Sequence, residues 1–374
     1  MSEFLGTDLT SWVIGPYHSA LPGPIRLHLD LDGEVIAAGR VERGFLHRGL
    51  EKTLELHPWQ AAVSYADRLD PEASAFGELA LCLAVEEIGE IPVPLRAQAI
   101  RVLLCELNRI SCHLGYIARM ANSVGADTMI HYVLRDREKV LDLFELLSGA
   151  RFSVNFLRFG GVIADVTEGF IERVLEICEL IRLRLKEYND LFSFNHAFLK
   201  RTAGIGVIRV EAARRFGVTG PNARAAGISL DVRKNHPYTG YQQIDFETPV
   251  GRGEGGTIGD AHDRFLIRLR EIAQSLEILK HVAETLPAGE FASTRVGKDF
   301  TVPQGEAYAR VESARGMLGC HVVSDGGERP CRVQFRVPSI AQLDITPELI
   351  RGSRVEDLPV ILASLDIGVA EADR

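Results

Sequence analysis

The 374 residues predict an α+β fold: a mainly helical bundle core, with small β regions near the N-terminus and in the C-terminal part. Three observations lead there. Apolar residues recur at three and four positions over long central stretches, the spacing of a buried helix face. Near residue 30 and again near residue 320 the apolar residues sit in short runs around turn signals, the pattern of strands. Helices and strands do not alternate as βαβ units, and no internal repeat or low-complexity linker breaks the chain, so a doubly wound sheet is not predicted.

In chain order, residues 25–40 read as a β-hairpin. Ile25, Leu27, Leu29 and Leu31 alternate with polar residues, and Asp32-Gly33 is a two-residue turn signal. Residues 72–89 read as a helix that ends before Pro92 and Pro94. The strongest helix runs from about 95 to 122, with Ile100, Leu103, Leu104, Leu107, Ile110, Leu114 and Ile117 on its apolar face. Helices follow at 134–148 and 167–190, with Gly149 and Asn189-Asp190 as stops, and at about 259–285. Around 301–337 two apolar runs flank Ser324–Pro330 as a second hairpin, and 346–371 reads as helical. Together these predict one integrated unit over 1–374. Its parts are an N-terminal β-hairpin region at 12–45, a helical core at 46–290, and a C-terminal hairpin with terminal helix at 300–374.

Composition bounds the function. The chain is 46% hydrophobic and 25% charged, ordinary globular values. A net charge of −9, from 42 basic and 51 acidic side chains, argues against nucleic acid as a partner, because phosphate binding needs a basic footprint. Apolar runs are too short and too often interrupted by charge to span a bilayer, and the N-terminal stretch lacks the basic-then-apolar order of a secretory leader. The expectation is a protein that stays in the cytoplasm, able to sit on a membrane through a partner. Cys82, Cys105, Cys112, Cys178, Cys320 and Cys331 include no CxxC spacing, so no metal or iron–sulfur cluster is expected on this chain. Cys105 and Cys112, seven apart on one helix face, read as small core residues.

Motifs narrow it little further. Residues 251–256 (GRGEGG) lack both a preceding strand and a following Gly-Lys-Ser/Thr, so they read as a loop rather than a phosphate cradle. The dinucleotide fingerprint is absent, as are the hydrolase and zinc-protease signatures. His28, His131 and His281 read as surface or core residues, and Glu86-Glu87 as a solvated helix face. One segment stands out. Residues 44–52 (GFLHRGLEK) gather His47, Arg48, Glu51 and Lys52 between two glycines and a helix start. These polar groups suit a solvated turn first, and alternatively a polar shell around a redox centre.

That segment resembles the corresponding stretch of the D subunits of NADH:quinone oxidoreductase (respiratory complex I), relatives of the large subunits of [NiFe] hydrogenases. The resemblance continues in order through residues 64–71 (SYADRLDP), 83–114, 132–152, 157–165 (LRFGGVIAD), 228–241, 311–327 and the terminus 363–374 (ASLDIGVAEADR). It implies a hydrogenase large-subunit-like fold, peripheral on the cytoplasmic side of the bacterial inner membrane. The implied partners are a small protein holding a [4Fe–4S] cluster, other peripheral-arm subunits and membrane-arm subunits. With the cluster protein the chain would form the chamber where quinone is reduced, coupled to proton translocation. His47, Arg48 and Arg68 would then lie beside the partner's cluster, the arginines supplying fixed positive charge that favours its reduced form. The four hydrogenase cysteines fall on Asp70, Ala73, Gly368 and Glu371, so the resemblance implies no nickel–iron site.

The departures from the family pattern are equally specific. The histidine and tyrosine at the quinone headgroup fall on Pro22 and Pro71, an aspartate linked to that histidine on Ser123, and a histidine near the cluster on Ser153. Proline has neither a titratable group nor an N–H. His18 and Asp70, in the same two loops, are therefore the candidate proton donors, with Tyr17 beside them. Two alternatives follow from the missing donors. One is a hydrogenase-derived energy-converting complex with another acceptor; the other is a scaffold without a catalytic role.

Overall fold

The computed structural model describes residues 9–297 and 300–374. The reading of the first eight residues as no leader lies outside that range. The architecture is α+β. A first antiparallel sheet, in order β1 (Thr10–Ile14), β2 (Arg26–Asp32), β3 (Val35–Glu42), opens the chain. The predicted hairpin is β2–β3, and Asp32 pairs with Val35, so Gly33 and Glu34 form the turn. Gly33 has φ +60°, a conformation that favours glycine. Strand β1 has no counterpart in the sequence pattern. It is an edge strand with four of its five residues exposed, so no alternation marks it.

Helices α1 (Leu50–Leu56), α2 (Trp59–Ala66), α3 (Ser74–Ile88), α4 (Leu95–Ser123) and α5 (Asp127–Ser148) follow. Helix α4 is the axis of the fold, buried without interruption from Ile100 to Ala118. Its apolar stripe is the one the periodicity predicts, but the opposite face is buried too, and the polar residues there must be partnered. Arg101 forks onto Glu86 (2.9 and 2.5 Å), whose Oε1 also accepts from the Gly160 N–H at 2.7 Å. Glu86 is therefore a buried ion-pair partner and not a solvated side chain; its neighbour Glu87 is exposed. Helix α5 begins at Asp127, earlier than predicted, because Met129 and Val133 extend its buried face, and it stops at Gly149 with φ +78° as expected.

A short ribbon, β4 (Leu157–Arg158) and β5 (Gly161–Val162), leads into α6 (Phe170–Tyr188). The helix does not stop at Asn189-Asp190 but relaxes into a π turn over Asn189–Ser193. Short helices α7 (His196–Thr202), α8 (Val210–Phe216), α9 (Gly220–Ala225) and α10 (Val232–Asn235) precede the long α11 (Ala261–Glu284), which packs along α4. The glycine-rich run before α11 is a packing element. A Cβ on Gly251 would lie 1.9 Å from the Ala225 carbonyl oxygen, and the Gly253 N–H donates to Asp263 at 3.0 Å. Cys105 and Cys112 are buried in the main core.

A second antiparallel sheet, β6 (Gly305–Glu312), β7 (Met317–Ser324) and β8 (Arg332–Arg336), lies on α3. The predicted second hairpin is β7–β8, and β6 adds a strand the sequence reading lacks. The C-terminal stretch is not one helix but α12 (Pro338–Ile350), α13 (Leu358–Leu365) and α14 (Val369–Asp373). Gly352 (φ +78°) and Asp366 (φ +57°) are the left-handed breaks between them. The first sheet and these last helices share a second hydrophobic core around Ile25, Leu27, Ile350, Ile361 and Leu365.

Candidate functional site

Three adjoining structures occupy the region where the first loops meet the chain's end. The first is an exposed face. The loop before α1 is held by the C-terminus: the Gly44 and Leu46 N–H groups each donate to the Asp373 carboxylate at 2.9 Å, and His47 Nδ1 lies 2.7 Å from the Asp373 carbonyl. Arg374 reaches Glu51 at 2.7 Å. Arg48 Nη2 donates to the Arg68 carbonyl and, at 3.4 Å, to that of Leu69. The structure thus brings His47, Arg48 and Arg68 to one surface across twenty residues of sequence. Arg68 stays largely exposed, its Nε 3.9 Å from the buried Asp67.

The second is a buried charge cluster. Arg315, on the turn between β6 and β7, donates to Asp70 (2.6 Å), Glu72 (2.7 Å) and Asp366 (2.6 Å). Arg119 of α4 donates to both Glu72 oxygens (2.8 and 2.9 Å) and to Asp366 (2.6 Å), and Arg268 of α11 lies 3.8 Å from Asp366 Oδ2. Burial alone would raise the Asp366 carboxyl; Arg315, Arg119 and Arg268 outweigh it and hold the carboxyl well below the usual range. Glu371 differs. Burial and the neighbouring Asp70 charge push it up to about 8, while its Oε1 accepts from the Ser339 hydroxyl and, at 3.2 Å, the Ser339 N–H.

This cluster bears on the metal positions that the resemblance singles out. Asp70, Gly368 and Glu371 stand around Arg315, and a Cβ on Gly368 would lie 2.9 Å from Arg315 Nε. Asp70, Ala73, Gly368 and Glu371 offer no thiolate, and the Arg315 side chain occupies the space beside Gly368, so the residues present do not fit a nickel–iron site.

The third is a cavity of about 90 Å³ between the first loop, the end of α4 and α13. Pro22, Arg119, Ser123 and Asp366 line it, with Ser19 and Ala20. Tyr116, Arg268 and Asp366 each keep a buried polar atom without a partner among the described residues, and the Arg268 guanidinium lies 4.0 Å above the Tyr116 ring. The volume suits about three waters. A ring-sized ligand would need Arg119 to move or a partner to supply further walls. A larger cavity of about 660 Å³ lies elsewhere, between the start of α5 and α7. Its one basic residue, Arg201, already donates to the Glu356 carbonyl at 2.8 Å.

The placement of the candidate proton donors departs from the sequence reading. Pro22 lines the small cavity, but His18 and Pro71 are not among its lining residues. His18 is exposed, and its Nδ1 accepts from the Ala20 N–H at 3.2 Å. Asp70 is buried and committed to Arg315 and the Glu72 N–H. A His18–Asp70 relay is therefore not formed. The physical reason is charge balance: a buried carboxylate takes the nearest guanidinium, and that guanidinium comes from residue 315, far along the chain. Sequence reasoning misses Arg119 and Arg315 altogether. Neither carries a local signal: Arg119 lies off the α4 apolar stripe and Arg315 sits in a turn between two strands.

These residues can be set against known proteins. The family described as "Respiratory-chain NADH dehydrogenase, 49 Kd subunit" matches residues 123–297 and 291–374. One of the NADH-quinone oxidoreductase D subunits of Roseiflexus sp. is 42% identical over 369 residues, covering 96% of this chain and 97% of the relative. An NADH-quinone oxidoreductase D subunit of Chloroflexus aurantiacus is 39% identical, covering 96% and 93%. The NADH-quinone oxidoreductase D subunit of Desulforamulus reducens is also 39% identical, covering 96% and 97%. The chain belongs to this family, the D (49-kDa) subunits of the respiratory NADH-quinone oxidoreductase.

Proposed function

We propose that this protein, seated against an iron–sulfur cluster subunit through the His47, Arg48 and Arg68 face, forms the quinone reduction site of an NADH-quinone oxidoreductase that translocates protons. Other peripheral-arm and membrane-arm subunits complete the complex on the cytoplasmic side of the membrane. No described helix is long and apolar enough to cross a membrane, so on this reading membrane attachment comes from partners. The observation that carries the proposal is the cavity holding Pro22, Ser123, Arg119 and Asp366, joined to the exposed arginines through Leu69 and the Asp70–Arg315 bridge. When bound, quinone would supply two carbonyl oxygens that accept two electrons and two protons.

Within that site Arg119 is the cation that meets an acceptor. Its guanidinium stays charged at every physiological pH, so it donates hydrogen bonds and balances developing negative charge but does not give up a proton. Ser19 adds a hydroxyl along the same wall, whereas the Ser123 hydroxyl already donates to the Met120 carbonyl at 2.8 Å. The test is the assembled complex carrying Arg119→Met. A charged hydrogen bond is worth roughly 1.5–3 kcal/mol, so NADH:quinone turnover should fall by about tenfold or more. Unchanged turnover and KM would remove Arg119 from the site. Replacement of the usual donors by Pro22 and Pro71 favours a second reading, a hydrogenase-derived complex with another acceptor. A purified wild-type complex that oxidises its donor but reduces no quinone would make that reading the better one.

A further inference from the structure

Arg119 lines the small cavity, yet both of its Nη groups are already engaged. Nη1 donates to the two Glu72 oxygens at 2.8 and 2.9 Å, and Nη2 to Asp366 at 2.6 Å. A cavity of about 90 Å³ does not admit a ring while the guanidinium stays there. To meet an acceptor, the guanidinium must leave one of its carboxylates. Both would keep Arg315, at 2.6 Å for Asp366 and 2.7 Å for Glu72. Water separates them. The Glu72 side chain is 32% exposed, so water can replace the hydrogen bonds that Arg119 withdraws. Asp366 is 0% exposed, and its Oδ2 already has no hydrogen-bond partner among the described residues. A buried carboxylate stripped of a further donor is costly, so the Glu72 arm is the one that releases.

The placement of Glu72 suits that part. It lies in the turn before α3, outside the lining of the cavity, and holds Arg119 from the side. Its backbone is fixed: the N–H donates to the Asp70 carboxylate at 3.2 Å, and the carbonyl accepts from Asn108 at 2.9 Å. Only the side chain is left to move. Burial alone would raise its carboxyl; Arg119 and Arg315 outweigh burial and hold it below the ordinary value, so it is ionised at neutral pH. Arg137 of α5 faces it too. A Cβ on Gly115 would lie 3.6 Å from both Arg119 Nη1 and Arg137 Nε, so the two guanidiniums share the helix turn that glycine leaves bare. With Arg315, Arg137 and solvent around it, Glu72 stays compensated after Arg119 turns away.

We propose that Glu72 is a positioning residue that latches the Arg119 guanidinium across the cavity, and that an acceptor enters by setting its own oxygen in place of the Glu72 carboxylate while Arg119 pivots on Asp366. This rests on the reading of the cavity as the acceptor site. No bond between heavy atoms is made or broken; one set of hydrogen bonds replaces another. Glu72 acts as a competing anion. Its hold on Arg119 is subtracted from the affinity for the acceptor, because only the unlatched form binds. Once the acceptor is seated, Glu72 no longer holds the guanidinium, so turnover at saturation does not feel it. The latch also selects. An acceptor must carry an oxygen able to displace a carboxylate, as a quinone carbonyl does; an apolar ring without one leaves Arg119 latched.

The test has a chemical arm on the full-length chain and a kinetic arm on the purified complex. A dicarbonyl reagent that modifies free guanidiniums, read by peptide mass spectrometry, should label Arg119 several-fold faster in Glu72→Gln than in wild type, with the exposed Arg68 as an unchanged reference. Equal labelling of Arg119 would overturn the latch. In the complex, Glu72→Gln should lower KM for a water-soluble quinone roughly two- to fivefold, the worth of a partly exposed ion pair, with kcat little changed. Raised ionic strength should bring the wild-type KM toward that of the variant and leave the variant's where it is, because the Glu72 arm is open to solvent. A higher KM in Glu72→Gln would mean that Glu72 helps to bind the acceptor, and would overturn the competition. Faster labelling with an unchanged KM would leave the swing of Arg119 standing and overturn the acceptor reading of the cavity. If Glu72→Gln does not assemble, Glu72→Ala, which keeps the backbone bonds to Asp70 and Asn108, carries the same test.

Discussion

Glu371 is a residue whose chemistry is strongly altered by its place. Its carboxyl is raised from an ordinary 4.5 to about 8 by burial and by Asp70. Between those two values the folded chain holds a proton that the unfolded chain has released. Stability is therefore full below about pH 4.5 and declines as pH rises toward 8. Glu371→Gln keeps the acceptor toward Ser339 and removes the titration. Unfolding free energy against pH should fall over that window in wild type, by up to roughly 5 kcal/mol at the upper end, and run flatter in the variant. Parallel curves would show that Glu371 is ionised throughout. Arg315 tests the same cluster from the other sign. Arg315→Met leaves Asp70, Glu72 and Asp366 with less counter-charge, and breaking a buried pair from one side costs roughly 3–5 kcal/mol. Chemical denaturation should show a loss of that size; a loss under about 1 kcal/mol would mean the carboxylates are hydrated.

At the scale of elements, long periodic helices are legible in the sequence and short or edge elements are not. Helix α4 is readable because seven apolar residues repeat at helical spacing, and its ends at Pro94 and Val124 fall close to the predicted ones. The terminal helix is misread because its breaks are made by context. Asp366 adopts φ +57°, unfavourable for aspartate in isolation, because Arg119 and Arg315 capture its carboxylate and Arg315 its carbonyl (2.8 Å). No local pattern reports a partner fifty residues upstream. The site splits the same way. His47, Arg48 and Arg68 stand in a long motif and the fold gathers them on one surface, whereas Arg119 and Arg315 look like ordinary surface arginines until the fold pairs them with Asp70, Glu72 and Asp366. The last helix, α14, tests how far an element so short can hold a functional loop. Asp373→Ala removes the acceptor for the Gly44 and Leu46 N–H groups. The expected result is faster amide hydrogen exchange over residues 43–48 with α4 unchanged; equal protection in both chains would show the loop is held otherwise.

Across the whole molecule, three guanidiniums and three carboxylates lie between the arginine face and the cavity: Arg119, Arg268 and Arg315 against Asp70, Glu72 and Asp366. Their charges cancel inside the fold, so the overall −9 is carried elsewhere. Arg48 and Arg68 are different, since each contributes charge without a tight carboxylate of its own. Arg48 is spent on backbone carbonyls, and Arg68 lies 3.9 Å from an Asp67 whose carboxyl is raised. A cation left uncompensated at a surface acts on whatever docks there. If the docked group is an iron–sulfur cluster, its reduced form is the more negative, and fixed positive charge stabilises that form. Arg68→Met keeps most of the length of the side chain and deletes the charge, so the cluster becomes harder to reduce. Its midpoint potential should fall, by an amount on the order of tens of millivolts for a partly screened charge. Arg68→Lys keeps the charge and should restore most of the potential, which separates electrostatics from packing. High salt should shrink the difference between wild type and Arg68→Met if the site is solvent-accessible, and leave it if the partner seals the face. Because Arg68 is exposed, the protein's own stability should be nearly unchanged in all these variants, so a shifted potential in a complex of normal composition reports the field of this one side chain.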